Sequence, residues 1–126
     1  MKENNKNKIY DLEERTAKFS EELINQIKLI KITPINKSSI SQIIRSATSV
    51  GANYCEANNA SSKSDFRNKI YLCKKEINET KYWLRILSNT DPDFKDKARK
   101  IWQEAQELNM IFQAIVNKIN SKKSEQ

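Results

Sequence analysis

An all-α fold, an up-down-up-down antiparallel four-helix bundle, is what this 126-residue sequence predicts. Three observations lead there. Turn formers are scarce: one glycine and two prolines are too few for a β-rich fold of this length. Apolar residues recur at steps of three and four in four separate stretches, the mark of one buried helical face. Those stretches are matched in length, roughly 30–40 Å at 1.5 Å per residue, and short links between them make neighbours antiparallel. The apolar share of 37% and charged share of 31% suit a single small domain with a narrow core and a wide wet surface.

The first helix is expected over 9–32, with Ile9, Leu12, Thr16, Phe19, Leu23, Ile27 and Ile30 as its stripe. Its early acids (Asp11, Glu13, Glu14) and late bases (Lys28, Lys31) complement the helix dipole. Thr33-Pro34 stops it, since proline disfavours a helical residue before it. The second is expected over 39–59 after a serine N-cap, with Ile40, Ile43, Ala47, Val50, Tyr54 and Ala57 inward. Gly51 falls inside this helix at a cost of about 1 kcal/mol against alanine, which close approach by another helix would offset.

The third helix, 64–88, starts at Ser64-Asp65 and carries Phe66, Ile70, Cys73, Ile77, Thr80, Leu84 and Leu87, a heptad-like seam. Asp91 and Pro92 then suit the N-cap and first position of a fourth helix, 92–120. Its stripe is Phe94, Ala98, Ile101, Ala105, Leu108, Phe112, Ile115 and Ile119. The bundle thus spans 9–120, between a flexible basic tail at 1–8 and a flexible tail at 121–126.

The formal charge is +7, from 23 basic and 16 acidic residues. Such an excess suits an anionic partner. A lysine-, asparagine- and isoleucine-rich composition is the alternative source. No run is long and apolar enough to cross a bilayer, and the N-terminus lacks the apolar core of a signal peptide. Cys55 and Cys73 sit inside helical patterns and are read as reduced core thiols of a cytoplasmic protein.

Catalytic chemistry finds little to work with. There is no histidine, which removes the commonest general base and the Glu-x-x-His pairs of a di-iron bundle. No glycine-rich phosphate loop, nucleophile elbow or paired-cysteine zinc spacing occurs. Glu56, Glu76 and Glu79 are a poor carboxylate metal site because Arg45 and Lys69 lie close. No catalytic residue, metal or cofactor is expected.

Three polar or apolar surpluses remain. Counting outward from a turn near residue 61 sets Arg45 near Glu76, and Asn53 and Glu56 near Lys69. These residues form either an interhelical network that fixes register or part of a binding surface. Around the third helix, seven cations face three carboxylates. Arg67, Lys74 and Lys81 are seven apart and line one face, with Arg85, Tyr71 and Tyr82 nearby. Cations with interleaved aromatics can follow a phosphate backbone and stack on bases; an ordinary solvated face is the other reading. Leu72, Trp83 and Ile86 on the third helix, and Trp102, Ile111 and Val116 on the fourth, exceed what one seam needs. Either they make a wider core face or they form a subunit interface centred on Trp83 and Trp102.

The run IIRSATSVGANYCEA, followed by SDFRNKIYLCKKEINETKYWLRIL, resembles the four-helix-bundle family encoded in intervening sequences of bacterial 23S ribosomal RNA genes. Arg45, Ser49, Asn53, Glu56 and Ala57 match that family's second-helix pattern. Asp65 and Phe66 match the start of its third helix. Lys75, Glu76, Glu79, Thr80, Trp83 and Leu84 match its Lys-Glu-x-x-Glu-Thr-x-x-Trp-Leu stretch. The opening IYDLEERTAKF fits too, so the similarity covers nearly the whole chain. Cys55 and Asn58-Asn59 depart from the pattern. The resemblance implies a homo-oligomer, a barrel-like pentamer of bundles, with no known enzyme activity. Similar proteins serve as accessory subunits of reverse transcriptases in diversity-generating retroelements, where basic surfaces contact nucleic acid and the transcriptase. The expectation is a non-enzymatic cytoplasmic oligomer that binds RNA or DNA. A protein-interaction subunit of a reverse transcriptase or other enzyme is the alternative; no membrane role is expected.

Overall fold

A computed structural model describes the backbone of residues 2–124 and the side chains of residues 12–121. Four helices, α1 Lys2–Ile27, α2 Lys37–Asn58, α3 Lys63–Thr90 and α4 Lys95–Ser124, pack into an all-α bundle. A short 3-10 turn, Pro92–Phe94, precedes α4. Cross-helix bonds give the directions. Ser20 Oγ donates to Ala47 O at 2.9 Å and Asn58 Nδ2 to Glu13 Oε1 at 2.7 Å, so α1 and α2 run antiparallel. Arg45–Glu76 and Lys69–Glu56 do the same for α2 and α3. Lys81–Gln106 and Asn120–Tyr71 do so for α3 and α4.

The stripes go inward. All six expected residues of α2 are buried. So are Leu12, Thr16, Phe19, Leu23 and Ile27 of α1, and every α3 seam residue but the part-buried Phe66. On α4 the pattern holds through Phe112 and then shifts: Val116 is buried, while Ile115 and Ile119 are only partly covered. A strict seven-residue repeat drifts around a 3.6-residue helix, so a step of four from Phe112 keeps the last turn facing the core. Val116 is therefore core rather than surplus. Ile111 and Trp83 also pack against the core. Ile9 lies outside the residues whose side chains are described.

Helix ends differ more. α1 begins at Lys2 and α4 reaches Ser124, so helical backbone runs into both expected tails; Met1, Glu125 and Gln126 lie outside the described residues. α1 ends at Ile27, five residues before the expected stop at Ile32. Its last turn tightens through Ile30 N to Ile27 O at 2.9 Å. β-branched Ile30, Ile32 and Thr33 favour extension beyond it. The buried Asn36 then fixes the link, accepting from Thr33 N at 2.8 Å and donating to Lys31 O at 2.9 Å and to the Asp91 carboxylate at 3.2–3.3 Å. Asn36, not a serine, is the N-cap residue of α2, and its side chain makes no cap bond. Asp91 stands at the expected N-cap position, with Pro92 opening the 3-10 turn that leads into α4, but its carboxylate turns to Asn36 and makes no cap bond. α3 is capped by Ser62, whose Oγ accepts from Asp65 N at 3.0 Å, two residues before the expected Ser64.

Gly51 lies against α1. A Cβ there would sit 3.1 Å from Thr16 Oγ1 and 3.4 Å from Thr16 Cβ, and Thr16 is fully buried. Close approach of α1 is thus the reason a glycine stands mid-helix. Gly51→Ala gains about 1 kcal/mol of helix propensity but crowds Thr16 by a similar amount. The expected net change in urea unfolding is under about 1 kcal/mol. In a Thr16→Ala background the same substitution is stabilising; equal effects in both backgrounds would rule out the contact as the cause.

Candidate nucleic-acid interface between the third and fourth helices

Once the stripes are buried, the residues beside them form seams between helices, and each seam handles charge differently. The α2/α3 seam is neutralised. Arg45 Nη1 reaches Glu76 Oε2 at 3.1 Å, and its other terminal nitrogen contacts Glu79. Further along, Lys69 meets Glu56 at 3.0 Å, and that carboxylate raises the lysine pKa. Between these pairs the polar row turns back on its own helix: Ser49 Oγ donates to Arg45 O at 2.7 Å and Asn53 Nδ2 to Ser49 O at 2.8 Å. Asn53 is therefore not a member of the interhelical network, because side-chain to i−4 carbonyl bonding satisfies it locally. The buried hydroxyl pair Thr80–Ser46, at 2.8 Å, joins the two helices behind the ion pairs.

In the α1/α4 seam Arg15 is neutralised, while Lys18, Lys97 and Lys100 line the same groove with no ion pair among the described residues. Arg15 binds Glu104 through two bonds of 2.7–2.8 Å and Glu107 through one of 2.5 Å. The hydrogen bonds with Arg15 lower the Glu104 carboxyl pKa, and those with Glu104 raise the guanidinium pKa further. Among the described residues every ion pair belongs to Arg15, Arg45 or Lys69.

The α3/α4 seam is different in kind. Lys74 Nζ donates to Gln113 Oε1, and one heptad on Lys81 Nζ donates to Gln106 Oε1. Lys81 also stands over the Trp102 ring, 4.6 Å from its centroid, and Lys74 lies 5.7 Å from that of Tyr71. Asn120 Nδ2 donates to Tyr71 Oη at 3.4 Å, and Gln113 Nε2 to Asn117 Oδ1 at 2.8 Å. No carboxylate enters these contacts. An amide satisfies an ammonium donor without cancelling its charge, so this seam is a cationic strip with aromatic rings on it. Trp102 is 40% exposed and Tyr71 43%, open enough to meet a partner.

The expected cations are thus divided. Lys74 and Lys81 form the seam's two rungs. Arg67 is part-buried at the far end of the bundle, where it lines a cleft of about 720 Å³ with Phe66 and Ile119. Arg85 is exposed toward the other end, beside Ile86 and Lys95. Neither arginine has an ion-pair partner among the described residues. Gln106 and Gln113 were missed by sequence reasoning. Their seven-residue spacing, matching Lys74 and Lys81 on an antiparallel neighbour, was the available signal.

The two tryptophans part company. Trp83 is largely covered within its own chain and meets Tyr82 edge to face, ring centroids 5.0 Å apart. Trp102 belongs to the cationic seam. The most exposed aliphatic residues lie elsewhere, at Leu29, Ile32 and Ile35 in the α1–α2 link. Cys73 is buried and its thiol pKa is pushed up to about 12 by desolvation, whereas Cys55 is exposed and not the core thiol expected. Both are free. No helix is long and apolar enough to cross a membrane among the described residues.

This is a histidine-free helical bundle with a cationic seam between α3 and α4, and comparison places it. Residues 8–114 match the family model described as 23S rRNA-intervening sequence protein. The chain belongs to that family. A crystal structure at 1.70 Å of a protein with unknown function from the S23 ribosomal protein family of Bacteroides thetaiotaomicron VPI-5482 is 32% identical. Its match covers 83% of this chain and 97% of that one, with a TM-score of 0.73. A search of curated proteins finds no match.

Arg45 offers a direct check on the neutralised seam. Its side chain is 46% exposed, but that of Glu76 is only 12% exposed. Arg45→Ala strands a buried carboxylate and is expected to cost about 1 kcal/mol in urea unfolding, at the low end for a buried pair because the arginine is solvated. In a Glu76→Gln background the loss should shrink. An unchanged unfolding midpoint for Arg45→Ala would remove the network from the account.

Proposed function

We propose that this protein is a non-enzymatic, homo-oligomeric bundle that binds RNA or DNA along the α3/α4 seam. One observation carries the reading: Lys74 and Lys81 are held by amides, so their charge is not cancelled where they stand. Arg15, Arg45 and Lys69, by contrast, face carboxylates. A polyanion is the partner that gains most from a row of uncancelled charge, through release of its condensed counterions. Arg67 and Arg85 extend the strip toward both ends of α3. The free thiols Cys55 and Cys73 support a reducing, cytoplasmic setting.

The oligomer, a pentamer by family resemblance, draws support from a different surface. Leu29, Ile32 and Ile35 expose an aliphatic cluster at one end of the bundle, and such clusters mark protein contacts. The same cluster supports the second reading, an accessory subunit docking on a reverse transcriptase or another enzyme. Light scattering on the pure chain and co-purification from the native cell separate these two uses.

The nucleic-acid reading is tested by fluorescence anisotropy with mixed-sequence RNA and DNA across a salt series. Binding should weaken steeply with salt. The Lys74→Gln/Lys81→Gln variant should reduce the log–log slope by about 1.4–1.8, the loss of two phosphate contacts. Absence of binding at low ionic strength, or a slope untouched by the double substitution, would overturn it.

A further inference from the structure

We infer that the polymer taken by this seam is single-stranded, with Lys74 and Lys81 on separate phosphates along its path and unpaired bases stacked on Trp102 and Tyr71. This rests on the nucleic-acid reading above and narrows it. The argument begins with the rings. In a duplex the base faces are already stacked inside, and a protein meets only phosphates, sugars and groove edges. Two exposed aromatic rings in a cationic strip would then have nothing to do. A single strand offers its base faces, and stacking on an aromatic side chain is sequence-tolerant because every base has one.

The lysines fit the same ligand. Lys81 lies 4.6 Å from the Trp102 ring centroid. A phosphate drawn to that ammonium therefore arrives beside the ring, and the base it carries is within reach of the ring face. Lys74 and Tyr71 repeat the arrangement one heptad away, about 10.5 Å along α3. The two rungs follow one another along the α3/α4 seam. A flexible single strand can follow that line, whereas duplex phosphates wind away from it.

The amides supply the third argument. When Lys74 and Lys81 turn to phosphates, the Gln113 and Gln106 carbonyls each lose a donor; Gln106 then presents a carbonyl and an NH₂ group together, while the Gln113 NH₂ keeps its bond to Asn117 and has one N–H left to give. An unpaired base edge can satisfy both groups. A phosphate oxygen accepts only, and would leave the carbonyl unbonded.

The experiment compares a labelled single strand of about 30 nucleotides with the blunt duplex of the same sequence, at low salt, on the parent chain and on Trp102→Ala and Tyr71→Ala. Both rings are outside the core, and circular dichroism confirms that the variants fold. The single strand is expected to bind about tenfold or more tightly than the duplex. Each aromatic substitution should weaken single-strand binding by about fivefold or more, the loss of one stacked base, and so narrow that ratio. A ratio near one, or a ratio left intact by both substitutions, overturns the single-strand inference while the charge reading stands. Failure to bind either form overturns both.

Discussion

Burial of one apolar stripe per helix, repeating every three and four residues, is the constraint on which every other feature here depends. Leu23, Ile43, Ile70, Ile77, Leu84, Leu87, Leu108 and Phe112 are removed from water altogether or nearly so. Each such side chain contributes about 1.5–3 kcal/mol by area, and together they set the rotation of each helix about its axis. With rotation set, the positions flanking the stripe are forced to face a neighbouring helix across a seam. Antiparallel packing then decides which residue meets which. Arg45 meets Glu76, Lys69 meets Glu56 and Lys81 meets Gln106 because the core allows no other alignment.

Function, in this view, is a matter of where the carboxylates were not placed. Two seams set acids opposite Arg15, Arg45 and Lys69, and those pairs specify register while contributing little net stability. The third seam has lysines opposite glutamines. Its ammonium groups are ordered by hydrogen bonds and by the rings beneath them, yet they keep their charge. Order without neutralisation suits a binding surface for phosphates: the lysines are held at the seam and need only turn from their amide partners to meet a polymer. The exposed aliphatic link between α1 and α2 lies at the end of the bundle that also holds Thr90–Phe94.

Much of this was legible in the chain itself, because periodicity is local. All six inward residues of α2 are visible as a pattern, as are the Arg45–Glu76 and Lys69–Glu56 meetings, which need only a turn position and antiparallel counting. Helix ends were less legible. The link between α1 and α2 is held in part by Asn36 bonding to Asp91, a residue 55 positions away, and no local capping pattern contains that fact. Asp91 does stand at the N-cap position read for it, but its carboxylate makes no cap bond. Cys55 reads as a core thiol on composition, but its register turns it outward. The family resemblance pointed to fold and membership, both of which hold. It attached no chemistry to Gln106 or Gln113, since a glutamine on a polar helix face looks like any solvated residue until its partner is known.

The claim at the centre is that seam charge, not total charge, governs binding. Replacing the two partners with acids tests it with almost no change in shape or volume. In a Gln106→Glu/Gln113→Glu variant both lysines acquire carboxylates, as Arg45 and Lys69 already have. The bundle should unfold no more easily than the parent, and its affinity for a labelled nucleic acid at low salt should fall by about tenfold or more, the weight of two lost phosphate contacts. A variant that folds and binds as tightly as the parent would contradict the account.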